Sequence, residues 1–339
     1  MRTGNLQYWD ESQAAFYEVY YLTVNHKASG HRFWLRATLL KTAQRDKAHF
    51  GGLWLAAFDP AGAHLAVHCY YPRAQCSFVL GRLALEITDS RLEESRWRAD
   101  FEADGHHVDW ELHWQPNASE LWLVPQLIRR SGFNRADVCV PNVDIALYGH
   151  VTIDGERYEF AGDPAGQSHH WGRHYARGWL WAHCNDFDGA PGAWFEMLAV
   201  DLFGIGSRRL PLCMLAYSDG ENELTVAVPL DFIKSRAAYS DGIWRAEFEK
   251  NGLRLEARLR APGNGFVALP YISPHGENYT CHNSCLCDAE LRLFKHRRAG
   301  CELLRELYSP DGAHAEFCTR ENVTPHSFRF GDMGKMHSK

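Results

Sequence analysis

The amino-acid sequence predicts an all-β protein made of two antiparallel domains. Three observations support this fold class: short runs rich in aromatic and β-branched residues, turn-forming dipeptides between these runs, and no long segment with the 3.6-residue apolar period of a helix. Because closely spaced strands without intervening helices pair with their neighbours, we expect antiparallel sandwiches or barrels rather than a parallel α/β sheet.

The strand signals follow one another through the first third of the chain. They occupy residues 14–25, 31–40, 51–59, 64–71, 76–81 and 107–114. Turn formers separate the strands here and further along, and Asp104-Gly105, Asp154-Gly155 and Asp241-Gly242 are typical of two-residue hairpin turns. The order of signals predicts a meander.

The length of 339 residues predicts two domains, because a single apolar core rarely grows that large. The composition changes after residues 217–222, where shorter and more charged hairpins begin, such as the one around Lys250-Asn251-Gly252. We therefore expect an N-terminal domain over 1–219 and a C-terminal domain over 220–339.

The composition restricts the class of partner. Hydrophobic residues at 45% and charged residues at 23% are typical of a globular protein. A net charge of -6 provides no basic surface for nucleic acid. The start of the chain lacks a signal-peptide pattern and no apolar window is long enough for a membrane span, so we expect a cytoplasmic protein whose ten cysteines are free thiols.

Histidine and tryptophan are concentrated in residues 167–186. If residues 178–186 form a strand, Trp179, Trp181, His183 and Asn185 share one face. An imidazole transfers protons near neutral pH and indole faces stabilise positive charge, which suits protonation of an alkene. The alternative is structural, with the aromatic rings capping a barrel and the histidines hydrogen-bonded in loops.

Glu196 is a candidate general acid. It lies in a predicted strand between apolar neighbours, with Trp194 and Leu198 on the same face. A desolvated carboxyl group favours its neutral, proton-donating form. The alternative is an ion pair with an arginine, Arg173 or Arg177.

No metal or cofactor is expected. His170 and His174 are four residues apart, a spacing that suits zinc on a helix, whereas their surroundings predict strand and loop. Cys281, Cys285 and Cys287 alternate along a predicted strand and are expected to be buried thiols. Glycine-rich nucleotide motifs and a Gly-x-Ser-x-Gly elbow are absent from the sequence.

The segment 149–162, followed by His169-His170-Trp171-Gly172 and Trp179-Leu180-Trp181, resembles a known superfamily. It is similar to carotenoid hydratases (hydroxyneurosporene synthases), AttH-like proteins, tocopherol cyclases and the fungal lipocalin-like Diels–Alderases. The resemblance is strongest over 145–217 and implies tandem lipocalin-like barrels.

Members of this superfamily carry Asp-His-x-Trp-Gly, whereas here Ser168 replaces the acid before His169. The replacement removes one orienting hydrogen bond to that histidine. The resemblance implies that His169 and Trp171 line a pocket and that an acid on a later strand supplies the proton. By position that acid is Glu196 or Asp201.

These observations together predict a cofactor-free hydratase or cyclase that acts by proton transfer on an apolar polyene or isoprenoid-like metabolite. A pericyclic cyclase that mainly shapes its substrate, and a non-catalytic carrier of apolar ligands, are the alternatives. The expected catalytic residues are Glu196 and His169. The expected substrate-binding residues are Trp171, Trp179, Trp181, His170, His183 and Asn185, and the first three of these are expected to face one cavity with the two catalytic residues.

Overall fold

The computed structural model describes residues 3–43, 50–124, 126, 129, 136–202, 210–226, 235–298, 300–320 and 327–330. The chain divides into two compact units. Unit 1 contains Met1–Trp122, Ile128–Tyr175 and Ile272–Glu277, and unit 2 contains Leu123–Leu127, Ala176–Tyr271 and Asn278–Lys339. Each unit is built around its own antiparallel sheet, which confirms the predicted all-β class.

The sheet of unit 1 has the strand order β4-β3-β2-β1-β12-β11-β9-β8-β7-β6-β5, and β10 pairs with β11. A short 3-10 turn, Arg73–Gln75, precedes β5. The strands are β1 Phe16–Asn25, β2 Arg32–Lys41, β3 Gly51–Phe58, β4 Leu65–Tyr71, β5 Cys76–Val79, β6 Arg82–Ile87, β7 Ser90–Glu93, β8 Arg96–Ala103, β9 His106–Trp114, β10 Leu121–Trp122, β11 Ala136–Ile153 and β12 Glu156–Gly172.

The second sheet has the order β16-β15-β14-β13-β22-β21-β19-β18-β17-β23, and β20 pairs with β21. The two sheets share one plan, in which the first strand of each pairs with the last strand of a long hairpin, β1 with β12 and β13 with β22. The strands are β13 Gly178–Cys184, β14 Trp194–Leu202, β15 Leu210–Ser218, β16 Glu223–Val226, β17 Arg236–Ser240, β18 Ile243–Lys250, β19 Leu253–Arg260, β20 Val267–Ile272, β21 Asn278–Arg297, β22 Gly300–Arg320 and β23 Ser327–Phe330.

The predicted hairpin turns are confirmed. Asp104-Gly105, Asp154-Gly155, Asp241-Gly242 and Asn251-Gly252 each connect two adjacent strands, and all eight residues have positive φ, as a type I′ turn requires. Asp and Asn tolerate this conformation and glycine adopts it freely, so the dipeptides fix the register of the strands they join.

Several strands that come early in each unit along the chain are buried on both faces. Every residue of β1 and β3 is buried, and so are six of the seven residues of β13. In unit 2 one face of β13 contributes Leu180, Ala182 and Cys184 to the apolar core. The alternate residues of β13 therefore lie on a second face, away from that core and still shielded from solvent.

The two compact units differ from the expected division at 219/220. Residues 178–218 form β13, β14 and β15, which pair with the second sheet through β13 and β22. The change in composition after residue 217 therefore falls inside unit 2. Pairing between segments about 130 to 140 residues apart in the chain decides the grouping, and it leaves no local mark in the sequence.

No helix among the described residues has the length and apolar character needed to cross a bilayer.

Candidate functional site

The residues predicted to form one site belong to two groups. His169, His170 and Trp171 lie on β12 in unit 1. Trp179, Trp181 and His183 lie on β13 and Glu196 lies on β14, all in unit 2. Asn185 follows β13 directly and is buried. The contacts described below join residues within each group.

Trp179, Trp181 and His183 occupy the second face of β13, as the alternation of the strand predicts. His183 is directly opposite Glu196 on β14 and His314 on β22. Residues directly opposite each other in an antiparallel pair share a face, so a carboxyl group and two imidazoles flank the indoles.

Glu196 is hydrogen-bonded to two side chains of β13. The indole Nε1 of Trp181 donates to Oε1 at 2.6 Å, and Nδ1 of His183 lies 2.8 Å from Oε2. The glutamate is 1% exposed and the histidine 2%. The carboxyl group is thus held by an indole and an imidazole, which replaces the alternative interpretation of an ion pair with Arg173 or Arg177.

The contact between Glu196 and His183 contains one proton. Either Nδ1 carries it and donates to a carboxylate, or the carboxyl group carries it and donates to Nδ1. The other ring nitrogen, Nε2, is buried and has no hydrogen-bond partner among the described residues. A buried nitrogen of this kind is costly for a folded protein and marks a position where a polar group of a ligand would be stabilised.

A second carboxyl group, which the sequence analysis missed, lies on the same face. Glu316 on β22 is directly opposite Trp181. Its Oε1 accepts Nε1 of Trp179 at 2.6 Å, and its Oε2 accepts the Cys281 thiol at 3.2 Å and Nδ2 of Asn283 at 3.3 Å. Burial, followed by the neighbouring Cys318 and Glu316, raises the pKa of Cys281 well above its ordinary value, so the thiol keeps its proton and donates.

His169 occupies a different setting in unit 1. Its Nδ1 donates to the Gly4 carbonyl oxygen at 2.6 Å, and its Nε2 lies 2.9 Å from Oε1 of Glu18. Both side chains are fully buried, and Tyr20 stacks on the imidazole at 4.1 Å between ring centroids. Since both ring nitrogens are engaged, no position of this histidine is left for a substrate.

Glu18 anchors the N-terminal segment. Its carboxylate accepts the backbone N–H groups of Tyr8 at 2.8 Å and Trp9 at 2.9 Å, the amide of Gln7 and the hydroxyl of Tyr20. The segment is held further by Tyr8, whose ring stacks on Trp171 at 4.3 Å. His169 and Trp171 therefore contact the groups that hold the N-terminal segment, and we call this arrangement the clamp.

His170 points to the opposite face of β12 from His169. Its Nε2 lies 3.5 Å from the Tyr21 hydroxyl. Burial, followed by the electrostatic effect of the neighbouring His169 and Arg36, lowers the pKa of His170 to about 3. The imidazole is neutral at physiological pH and can accept a hydrogen bond but cannot act there as an acid.

The sequence offered a signal for both missed carboxylates. Glu18 is the sole charged residue of β1, and Glu316 lies between Ala315 and Phe317 in a strand. An acid embedded among apolar strand residues is the criterion that selected Glu196, and it applies equally to these two positions.

Over the described residues, no group of three or more histidine, cysteine or acidic side chains is arranged to hold a metal ion. The cysteines form no disulfide bonds. Burial raises the pKa of the Cys287 thiol to about 12, so it is protonated and packs as an apolar side chain.

Comparison with known proteins places the chain in a family. The model of the tocopherol cyclase-like family matches residues 143–318, just over half of the chain. A probable chloroplastic tocopherol cyclase from Oryza sativa subsp. japonica is 30% identical over 157 residues, covering 45% of this chain and 33% of that protein. The chloroplastic tocopherol cyclase of Zea mays is 26% identical over 155 residues, 45% of this chain and 32% of that protein. The match thus spans about a third of the length of these relatives.

Solved structures share the fold over nearly the whole chain. CghA with Sch210972 superposes with a TM-score of 0.57 at 12% identity, covering 90% of this chain and 88% of that one. A putative AttH from Nitrosomonas europaea gives 0.51 at 14%, with 92% and 97% covered. Kievitone hydratase from Nectria haematococca gives 0.52 at 6%, with 90% and 89% covered.

These matches confirm the resemblance inferred from residues 145–217 and the tandem lipocalin-like fold. The family match includes β12, β13, β14, β21 and most of β22, and with them His183, Glu196 and Glu316. The chain belongs to the tocopherol cyclase-like family.

Proposed function

We propose that this protein is a cyclase or hydratase that protonates an alkene of an apolar, isoprenoid-like substrate, without a cofactor. The observation that carries the proposal is the buried Glu196 carboxyl group, held between the Trp181 indole and the His183 imidazole on the second face of β13. A carboxyl group that shares a proton with an imidazole can be recharged after it has given its own proton away.

Burial supports the role of Glu196 as the proton donor. Protonation of an alkene needs a neutral acid close to the carbon and an environment without water that would compete for the proton. Glu196 is 1% exposed, and its neighbours on the face include Leu198, directly opposite Trp181. The donor is therefore in an apolar environment of the kind an alkene substrate requires.

Aromatic rings beside the acid support the formation of a cation. The Trp179 ring lies 6.5 Å from that of Tyr271 and 6.0 Å from that of Tyr279, both roughly parallel to it. Electron-rich ring faces attract positive charge, by about 0.5–2 kcal/mol for each favourable contact. A tertiary carbocation formed next to Glu196 would be stabilised first by the Trp181 ring, whose N–H donates to that glutamate, and Trp179 lies two residues earlier on the same face of β13.

The family and its relatives support the substrate class. Two relatives are named as tocopherol cyclases, and kievitone hydratase shares the fold. Cyclisation onto a hydroxyl and hydration both add O–H across a carbon–carbon double bond, so one acid site serves either reaction. Because the fold hosts several activities, it is the acid site that selects this one.

We propose a structural role for His169, the other residue expected to be catalytic. Its two nitrogens are bonded to Gly4 and Glu18, so proton transfer to a substrate would require breaking the clamp on the N-terminal segment. His183 takes its place as the imidazole of the site, because its Nε2 is open among the described residues.

The test uses a geranylated hydroquinone, which combines a phenolic hydroxyl with trisubstituted alkenes, incubated with the protein in D2O. We expect ring closure with one deuterium on the protonated carbon, measured by mass spectrometry and NMR. Glu196→Gln preserves the shape of the side chain and removes its acidity, so both turnover and deuterium incorporation should fall on the order of a hundredfold or more.

Glu306→Gln is the matched control, because Glu306 lies on β22 and is exposed beside Arg292. Closure by Glu196→Gln at the wild-type rate would favour a pericyclic or shape-driven cyclase. Binding of the probe with neither closure nor deuterium uptake would favour a carrier of apolar ligands.

A further inference from the structure

We propose that Glu316 is the general base of this site and accepts the proton that the oxygen nucleophile loses. This inference rests on the proposed function, since a base is needed only if an O–H group adds to the protonated alkene. Glu196 and Glu316 are the two carboxyl groups that flank Trp181, one on β14 and the other on β22.

Strand register places the two carboxyl groups on one face. Glu196 is directly opposite His183, and Glu316 is directly opposite Trp181, two residues earlier on β13. Residues i and i+2 of a strand point the same way, and so do directly opposed residues of adjacent strands. A substrate lying on the Trp181 ring therefore has a carboxyl group on either side.

The hydrogen bonds give the two groups opposite character. Glu316 accepts from an indole, a thiol and an amide, which are neutral donors that favour an ionised carboxylate. Glu196 shares its contact with an imidazole that can supply or withdraw a proton. Two carboxyl groups with different partners are a common way to divide the acid and the base of one reaction.

The solvent exposure of the two glutamates also fits a division into an acid and a base. Glu196 is 1% exposed, whereas Glu316 is only partly buried. A buried acid is shielded from water that would compete for its proton, and a partly buried base can return the proton it receives to solvent. The proton thus enters the reaction on the β14 side of Trp181 and leaves it on the β22 side.

The resulting step is balanced. The O–H bond of Glu196 breaks as the π pair of the alkene forms a C–H bond, which leaves a tertiary cation. A lone pair of the substrate hydroxyl or of water forms the C–O bond, and the O–H proton passes to the Glu316 carboxylate. One proton is given and one is taken, so no oxidant, reductant or cofactor is consumed.

The experiment separates protonation from capture of the cation. Wild-type protein and variants are incubated with the geranylated hydroquinone in D2O, and deuterium is measured both in the cyclised product and in recovered starting material. We expect Glu316→Gln to reduce closure at least tenfold while deuterium continues to enter the recovered probe, because the cation forms and then returns a proton. Glu196→Gln should abolish both signals.

Three controls exclude a merely structural role. Glu316→Asp retains a carboxylate and should recover part of the closure, and Glu306→Gln should match the wild-type protein. The monomethyl ether of the probe, blocked at the hydroxyl that closes the ring, should make the wild-type protein behave like Glu316→Gln, with exchange but no ring.

Ring closure of the probe by Glu316→Gln at the wild-type rate would overturn the assignment of Glu316 as the base. A parallel loss of deuterium exchange and ring closure in folded Glu316→Gln and Glu316→Asp would overturn it as well. Absence of deuterium from wild-type reactions would instead overturn the proposed function, and the base with it. The two failures are therefore distinguishable.

Discussion

The two units each bury a histidine against a glutamate, at 2.9 Å in unit 1 and 2.8 Å in unit 2, and the two pairs differ in their surrounding hydrogen bonds. In unit 1, Glu18 receives backbone, amide and hydroxyl donors in addition to His169, whose other nitrogen is bonded to Gly4. In unit 2, Glu196 is hydrogen-bonded to Trp181 and His183, and Nε2 of that histidine has no hydrogen-bond partner among the described residues.

The comparison teaches that the presence of a buried histidine–glutamate pair does not identify an acid site. A pair whose donors and acceptors are all satisfied stabilises the fold, because breaking any bond leaves a buried polar group behind. A pair with an unsatisfied nitrogen has capacity left for a substrate. Saturation of hydrogen bonds, rather than residue type, separates the two roles.

The largest expected effect is on stability in unit 1. Glu18→Ala removes the acceptor of two backbone N–H groups and of His169, so we expect the free energy of unfolding to fall by about 3–5 kcal/mol. Urea denaturation followed by tryptophan fluorescence measures the loss. Glu196→Gln, which keeps the side-chain shape, is the comparison and should cost about 1 kcal/mol. Equal losses in the two variants would contradict the distinction.

The next effect is on turnover. His183→Ala should lower kcat with the geranylated hydroquinone about a hundredfold, equivalent to about 2.7 kcal/mol in the barrier. His169→Ala should lower kcat by less than about tenfold in the fraction that remains folded, because its role is structural. Rates are compared at equal concentrations of folded protein. A larger loss of kcat in His169→Ala than in His183→Ala would return the catalytic assignment to unit 1.

Removing a single hydrogen-bond donor to either glutamate should have a smaller effect. Trp181→Phe keeps an aromatic ring but removes the N–H donor to Glu196, so we expect about a tenfold loss in kcat, or about 1.4 kcal/mol. Tyr20→Phe removes one of several donors to Glu18 and should cost about 1 kcal/mol of stability with kcat unchanged. Steady-state kinetics and urea denaturation of both variants show whether each substitution affects kcat or stability.

The smallest effect concerns His170, beside the clamp. Its pKa is about 3 in the folded protein and 6.5 ordinarily, so the unfolded chain binds more protons between these values. Stability should therefore fall as the pH drops from about 6.5 towards 3, and His170→Asn should remove part of that slope, at most about 1.4 kcal/mol per pH unit for one proton. The opposing group is Asp137, whose pKa burial raises to about 6.

Urea denaturation of wild-type protein and His170→Asn at about pH 7 and pH 4.5 measures the difference, in which the contribution of Asp137 cancels. Identical slopes for the two proteins would mean that His170 is protonated in the folded state.

Local patterns in the sequence predicted the strands and the turns of the fold. The alternation of β13 gave the shared face of Trp179, Trp181 and His183, and the Asp-Gly dipeptides gave the hairpins. The chain from β12 to β14 could be read in this way because strand direction and turn conformation depend on a few adjacent residues.

Long-range pairing could not be read from the same patterns. Strand β13 pairs with β22 in the second sheet. The two compact units therefore divide near residue 175, whereas the composition predicted a boundary at 219/220. The same pairing brought Glu316 opposite Trp181, and the folding of residues 4–9 over Glu18 placed both ring nitrogens of His169 in hydrogen-bonding contacts.

The sequence by itself determined the all-β class, the hairpin turns, the family resemblance and the burial of Glu196 among apolar neighbours. Each of these depends on residue type and on spacing over a few positions. Tertiary structure alone decided that His183 rather than His169 has a nitrogen without a partner among the described residues, and which carboxyl groups share a face with Trp181. The physical reason is that hydrogen-bond saturation depends on groups brought together from distant parts of the chain, and Gly4 and His169 are 165 residues apart.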